Sequence, residues 1–399
     1  MNCIRHRLFI VSALVASLLA AGCTESGSRQ LEREDLFQLE LGKLDDQIDL
    51  FQLGERDFRF RNRIASRDGR VYVSNGNAGK VMEFTAYGDL LSLLFDPVTN
   101  PPPSLPEQED DRSTTRVALS HSFNNLGEIA VGSGRKVYVE DRIRDGGEYD
   151  SDLGVHLRSR IFVFEAGRYS HYLGQEGIGG VPFPYIEEME VTPTGEIVVV
   201  TRTKNGRRVY WYTAEGDFKW EVPISNDRLP LPDDDNLVPS LGRIFPDLEQ
   251  QRLYLKLDYY ERTPVEGGPG DPGNVFSRVY VLDLEEGRYI DSIEIPEYTA
   301  TETPPPDFEP VDTPHLYRFV GVGPDGHLFF TVRGNNGTHE LLILSSDGHV
   351  VARREIVLEE QPLHDLALSV SPEGILTALL AREDGAQVAW WRTDRLIDN

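Results

Sequence analysis

The sequence predicts an all-β chain folded as a six-bladed β-propeller of four-stranded antiparallel blades, closed into a ring by an N-terminal strand. Three observations predict it. Short alternating runs rich in Val, Ile, Tyr and Phe, separated by glycine-containing turns, fill the chain beyond residue 35. No long helical-period segment with caps interrupts them. One internal order of strand, turn and strand recurs six times, which a sandwich of two sheets would not explain.

The first residues precede that pattern. Arg5 and Arg7, an apolar run of 14 residues from Leu8 to Ala21, and small residues before Cys23 follow the secretory plan. The run falls short of the roughly 20 apolar residues that span a bilayer, so it reads as an address rather than an anchor. The stretch Leu18-Leu19-Ala20-Ala21-Gly22-Cys23 resembles the lipobox of lipoprotein signal peptidase, with Ala20 where leucine is commonest. That resemblance implies removal of residues 1–22, lipidation of Cys23, and a permanent hold on a membrane, because two or more acyl chains bind firmly where one binds marginally. Cysteine usage agrees. Only Cys3 and Cys23 occur, and Cys3 leaves with the leader, so no internal disulfide forms in a compartment that permits one. Residues 23–34 are a polar tether with a reach of roughly 35 Å when extended. Thr24 after the lipidated cysteine, in place of Asp, points to the outer membrane of the cell envelope.

Residues 35–399 form the propeller. The segment Leu36–Leu53 holds two alternating runs and supplies the strand that the last blade lacks. The blades follow as Gly69–Val73 with Lys80–Phe84, Arg135–Val139 with Arg160–Phe164, and Glu196–Val200 with Arg208–Tyr212. Later copies are Arg252–Leu255 with Arg278–Leu282, His327–Phe330 with Glu340–Leu344, and Gly374–Ala378 with Val388–Trp391. Four-stranded units repeated radially leave only short, protected edges. The repeats, most clearly Val71–Asp89, resemble those of NHL-type six-bladed propellers. With its leader and tether, the whole chain is similar to uncharacterised spirochaete lipoproteins that carry such repeats. That likeness implies a fold and an address, and no activity. Tyr212–Val222 also resembles the quinoprotein-like repeat of outer-membrane assembly lipoproteins, but those have eight blades and this chain is too short for eight.

Naming the strands of a blade a to d from the axis outward, the a-to-b and c-to-d turns lie on one face. Gly69, Gly134, Gly195, Gly326 and Gly374 mark the first set, and Gly88, Gly167, Gly216, Gly287 and Gly348 the second. Every long insertion falls on the opposite face: Pro97–Val117, Arg142–Arg158, Gly174–Tyr185, Ser225–Leu237, Arg262–Phe276 and Tyr298–Pro314. Loops held by a rigid frame carry function in such scaffolds, and proline lowers their ordering cost on binding. The binding surface is therefore placed there, on Asp110, Asp111, Asp233, Asp234, Asp235 and Asp307 in three acidic loops.

The formal charge of -26 sets that face against phosphate backbones and excludes nucleic acid as a partner. Catalytic signatures are absent: there is no Gly-x-Ser-x-Gly elbow, His-Glu-x-x-His, zinc cluster or Walker loop. No catalytic or metal-ligating set is assigned and no cofactor is expected, calcium being the ion that the acidic loops would suit. The sequence thus reads as a membrane-anchored lipoprotein whose propeller is a binding scaffold for an envelope protein or other envelope component. The alternative is a propeller hydrolase, lactonase-like or glycan-acting, with a metal near the central channel; Glu128, Glu188, Glu190 and Asp365 lie on or near inner strands for that role. Trp211, Trp220, Trp390 and Trp391 read as packing between blades.

Overall fold

In a computed structural model, residues 30–51, 61–106, 116–143, 146–232, 236–261, 274–298, 316–334, 338–358 and 363–397 are described. The N-terminal strand is β1 (Glu34–Glu40). Blade 1 holds β2 (Asn62–Arg67), β3 (Arg70–Asn75), β4 (Lys80–Thr85) and β5 (Leu90–Phe95), with β6 (Val117–Ser120) on its outer edge. Blade 2 holds β7 (Leu126–Gly132), β8 (Lys136–Arg142), β11 (Ser159–Glu165) and β12 (Arg168–Gly174). It carries the small hairpin β9 (Glu148–Asp150) and β10 (Val155–Leu157) within its insertion and β13 (Gly177–Ile178) at its edge. Blade 3 is β14 (Tyr185–Val191), β15 (Ile197–Thr203), β16 (Gly206–Tyr212) and β17 (Phe218–Ser225). Blade 4 is β18 (Leu237–Pro246), β19 (Arg252–Glu261), β20 (Asn274–Asp283) and β21 (Arg288–Ile295). Blade 5 is β22 (Arg318–Val322), β23 (Leu328–Arg333), β24 (Thr338–Leu344) and β25 (Val350–Val357). Blade 6 is β26 (Asp365–Val370), β27 (Leu376–Arg382) and β28 (Gly385–Trp391), completed by β1.

Local chemistry explains the repetition. All ten turn glycines have positive φ, from 62° at Gly287 to 93° at Gly216, so each strand reverses within a tight turn. At the first of these, Asp68 and Gly69 have φ of 53° and 68°, the two-residue geometry that matches the right-handed twist of the flanking strands. The hydrophobic residues pack between blades rather than within one. Of six core clusters among the described residues, each joins two adjacent blades. Trp211 of blade 3 packs with Leu253, Leu255 and Leu257 of blade 4, and Trp391 of blade 6 with Phe329 and Ile343 of blade 5. The last cluster closes the circle. Leu39 of β1 and Leu379 and Val388 of blade 6 pack with Val71, Val73 and Met82 of blade 1.

The N-terminal strand takes the place of a true outer strand. It pairs antiparallel with β28 from Glu34 opposite Trp390 to Glu40 opposite Gly385, and its register shifts between Asp35 and Phe37. Outer pairs in blades 1 to 5 carry the same kind of shift near their c-to-d turns. The second alternating run of Leu36–Leu53 is not a strand. Residues 41–51 cross towards blade 1 as an irregular hook in which Ile48 is fully buried. The hook is fixed by side-chain hydrogen bonds: Asn75 Nδ2 donates to Asp49 O at 2.8 Å, Asp49 N to Asn75 Oδ1 at 2.9 Å, and the buried Lys80 Nζ to Leu44 O at 2.6 Å.

Candidate functional site in the central channel

The six inner strands β2, β7, β14, β18, β22 and β26 converge on a channel whose cavity measures about 460 Å³. Its lining runs from Arg61, Tyr185 and Arg202, at the strand ends that face the long insertions, down to Ile64, Ile129 and Ser369. The cavity therefore opens on the elaborated face. Beyond its far end the buried Arg67 crosses between blades, donating from Nη1 to Val131 O at 3.0 Å and Val191 O at 3.4 Å, and from Nη2 to Thr192 O at 3.5 Å. Ser66 and Thr377 hydroxyls share a hydrogen bond at 2.7 Å at the same level.

Backbone irregularity aims the charged side chains inward. The a-to-b register shifts between Leu126 and Ile129, between Ile186 and Glu188, and between Leu241 and Ile244, placing bulges beside Glu128, Glu188 and Arg243. Bulges of this kind redirect a side chain without ending the sheet. In blade 2 the bulge depends on Gly127. A Cβ there would lie 1.9 Å from Glu140 Oε2 and 2.7 Å from Arg142 Nη2. The fully buried Glu140 uses that space, accepting from Glu128 N at 2.8 Å, from Arg142 Nε at 2.8 Å and from Ser159 Oγ at 2.7 Å.

Two of the inner carboxylates are clamped by arginines from other blades. Arg63 holds Glu128 with two parallel hydrogen bonds, Nε to Oε2 at 2.5 Å and Nη2 to Oε1 at 2.6 Å, and Arg61 adds a third at 3.2 Å. Burial opposes ionisation of Glu128, but Arg63, Arg61 and Arg142 together outweigh it and lower its pKa. Arg243 makes the same bidentate contact with Glu188, where burial wins and pushes the carboxyl up. At the mouth Glu187 pairs with Arg202 and Arg207, and the ring of Tyr185 meets the guanidiniums of Arg142, Arg61 and Arg202 at 4.6, 5.2 and 5.5 Å.

Two groups in the cavity stand apart. Glu190 accepts no hydrogen bond among the described residues, and burial, with Glu188 and Glu128 nearby, pushes it up to about 8. Arg318 reaches from β22 into the channel with no ion-pair or hydrogen-bond partner among the described residues. The channel walls, then Arg243 and Arg63, depress its pKa. Among the described residues, six arginines and four glutamates line the cavity, and no other charged residue does. A chain of formal charge -26 thus holds a cavity of net positive charge at its axis.

Of the acids assigned to inner strands from sequence, Glu128, Glu188 and Glu190 meet in this cavity, whereas Asp365 does not line it and accepts instead from Asn62 Nδ2 at 3.1 Å. No group of three or more His, Cys, Asp or Glu among the described residues is arranged to hold a metal ion. Cys23, Asp110, Asp111, Asp233, Asp234, Asp235 and Asp307 lie outside the described residues. The sequence reading missed the arginines. Arg63 and Arg243 lie 65 and 55 residues from the acids they hold, and the available signal was that each occupies an inner-strand position equivalent to those acids.

No family model matches the chain, and no curated protein matches it. Solved propeller-like structures resemble it at low identity. It is similar to hydrazine synthase of Kuenenia stuttgartiensis (12% identity, 82% of each chain, TM-score 0.41). It is also similar to an ulvan lyase of polysaccharide lyase family PL25 (10% identity, 90% of this chain and 83% of that one, TM-score 0.41). A third is a calcium-binding regucalcin of Agrobacterium tumefaciens (11% identity, 90% of this chain and 93% of that one, TM-score 0.36). Likeness at this level concerns the fold alone and assigns neither ligand nor activity to this chain.

Proposed function

We propose that the chain is a lipoprotein of the cell envelope, attached through Cys23 to the outer membrane, whose propeller binds an envelope component at the channel mouth on its elaborated face. The NHL-like repeats and the lipobox support the fold relationship and the address. The single observation that carries the binding role is the positive cavity opening on that face of a strongly acidic molecule. A binding role also accounts for the state of the carboxylates, since Glu128 and Glu188 are already committed to arginines rather than left open for a metal. The hydrolase reading stands second on one observation: Glu190, held protonated near neutral pH beside Glu188, has the character of a general acid.

The test has two arms. In cells fed labelled palmitate, wild type is expected to take up label and sediment with membranes, and Cys23→Ala to do neither; an unlabelled wild type removes the anchor from the proposal. In the second arm, the native protein is recovered from detergent-solubilised envelope beside two variants, one with a shortened Pro97–Val117 loop and one with Arg202→Glu at the rim. Recovery of the same partners in the same amounts by all three eliminates the elaborated face as the binding surface.

A further inference from the structure

The charges in the channel do not cancel locally. Glu128 takes Arg63 and Arg61, Glu188 takes Arg243, and Glu187 at the mouth takes Arg202 and Arg207. Arg318 is the cation left over among the described lining residues, and Glu190 is the acid left over. A guanidinium carries five donors in a fixed fork, and its best complement is the planar pair of oxygens of a carboxylate. A protonated carboxyl adds one donor to the same cavity.

We propose that the channel is a binding site for a small polyhydroxy monocarboxylate, in which Arg318 forms the charge-assisted pair and the Glu190 carboxyl donates a further hydrogen bond. The inference rests on the binding role proposed above and names its ligand class. The unpartnered guanidinium of Arg318 calls for an anionic group. The cavity of about 460 Å³ is of the size that encloses a small molecule, and it excludes a folded partner. Tyr185, Ser369 and Glu187 offer hydrogen-bonding groups for hydroxyls along its wall.

Protonation of Glu190 makes binding depend on pH. The charged groups that act on it are Glu188 on its own strand, Arg243 on β18 and Glu128 on β7, and Arg63 on β2 and Arg318 on β22 line the same cavity. Among the described residues β26 adds only Asp365, which Asn62 holds outside the lining. Ionisation of Glu190 as pH rises past about 8 removes the donor and adds a negative charge against the ligand. Affinity should fall about tenfold from pH 7 to pH 9, following the protonated fraction.

The experiment is titration calorimetry on the full-length protein with gluconate, glucose and inorganic phosphate as probes. Wild type is expected to bind gluconate over both other probes and to lose about tenfold between pH 7 and pH 9. Arg318→Gln should weaken gluconate by at least about tenfold, the cost of one charge-assisted bond, with the melting temperature unchanged. Glu190→Gln keeps a donor and should retain binding at pH 7 while abolishing the pH dependence. Equal binding of glucose, preference for phosphate, an unaffected Arg318→Gln, or a pH dependence that survives Glu190→Gln each overturns the proposal. If no probe binds while recovery of envelope partners still depends on Arg202, the ligand class is wrong and the binding role stands.

Discussion

Glu190 shares β14 with Glu188 but lacks an arginine, and that difference has a consequence for stability. Its folded pKa of about 8 lies above the ordinary value of 4.5. Below about pH 4.5 folded and unfolded chains both hold the proton, so this group imposes no penalty there. Between pH 4.5 and pH 8 the unfolded chain releases it while the folded chain retains it, and stability declines steadily with pH. Above pH 8 both states are ionised and the loss levels off. Glu190→Gln is expected to flatten this profile and to raise the melting temperature at pH 8.5 by several degrees while leaving it unchanged at pH 4. Parallel melting curves for the two proteins across that range would contradict a desolvated carboxyl at this position. The acid itself was legible in the sequence, because alternation placed it on an inner strand. Its isolation was not, since that depends on which of Arg63, Arg243 and Arg318 points where, and those side chains come from blades far apart in sequence.

At the scale of elements, the turn glycines and the two-residue alternation expose the blades, because each is a local property of a few consecutive residues. Elements without a local signature were missed. β6 pairs parallel with β5 after a long connection, and β13 is two residues long, so neither has a periodicity to detect. The converse failure is Gln47–Phe51, whose alternation suits a strand although the chain there must cross from the outside of blade 6 to the axis of blade 1. What survives of the pattern is Ile48, fully buried, with Leu50 packed beside it against the same cluster. The closing strand β1 makes a prediction of its own. Leu39 is 1% exposed and sits in the cluster that joins the last blade to the first, whereas Leu44, five residues on, is 56% exposed. Leu39→Ala should cost about 3 kcal/mol in chemical denaturation, as deletion of a buried leucine side chain does, and Leu44→Ala less than about 0.5 kcal/mol. Equal effects of the two would mean that β1 does not contribute to closing the ring.

The whole molecule sets two fields against each other. Its formal charge of -26 acts over the length that salt allows, roughly 30 Å at 0.01 M and 8 Å at 0.15 M. The excess of arginine in the channel acts over the few ångströms between Arg318 and a bound ligand, where little salt intervenes. A small anion approaching at low ionic strength is repelled by the chain as a whole before it meets the cavity. Raising the ionic strength removes the long-range repulsion first and the short-range attraction last. Gluconate is therefore expected to associate several-fold faster at 0.15 M than at 0.01 M salt, with affinity rising or holding level, the reverse of an anion site on a basic protein. The added salt should carry a bulky sulfonate rather than chloride, so that its anion cannot enter the channel and compete. Stopped-flow association measured across this range decides the matter. A rate that falls with salt would mean that the local field of the mouth, with Arg61, Arg142 and Arg202 around Tyr185 and Arg207 on Glu187, extends beyond the channel and outweighs the acidity of the rest of the chain.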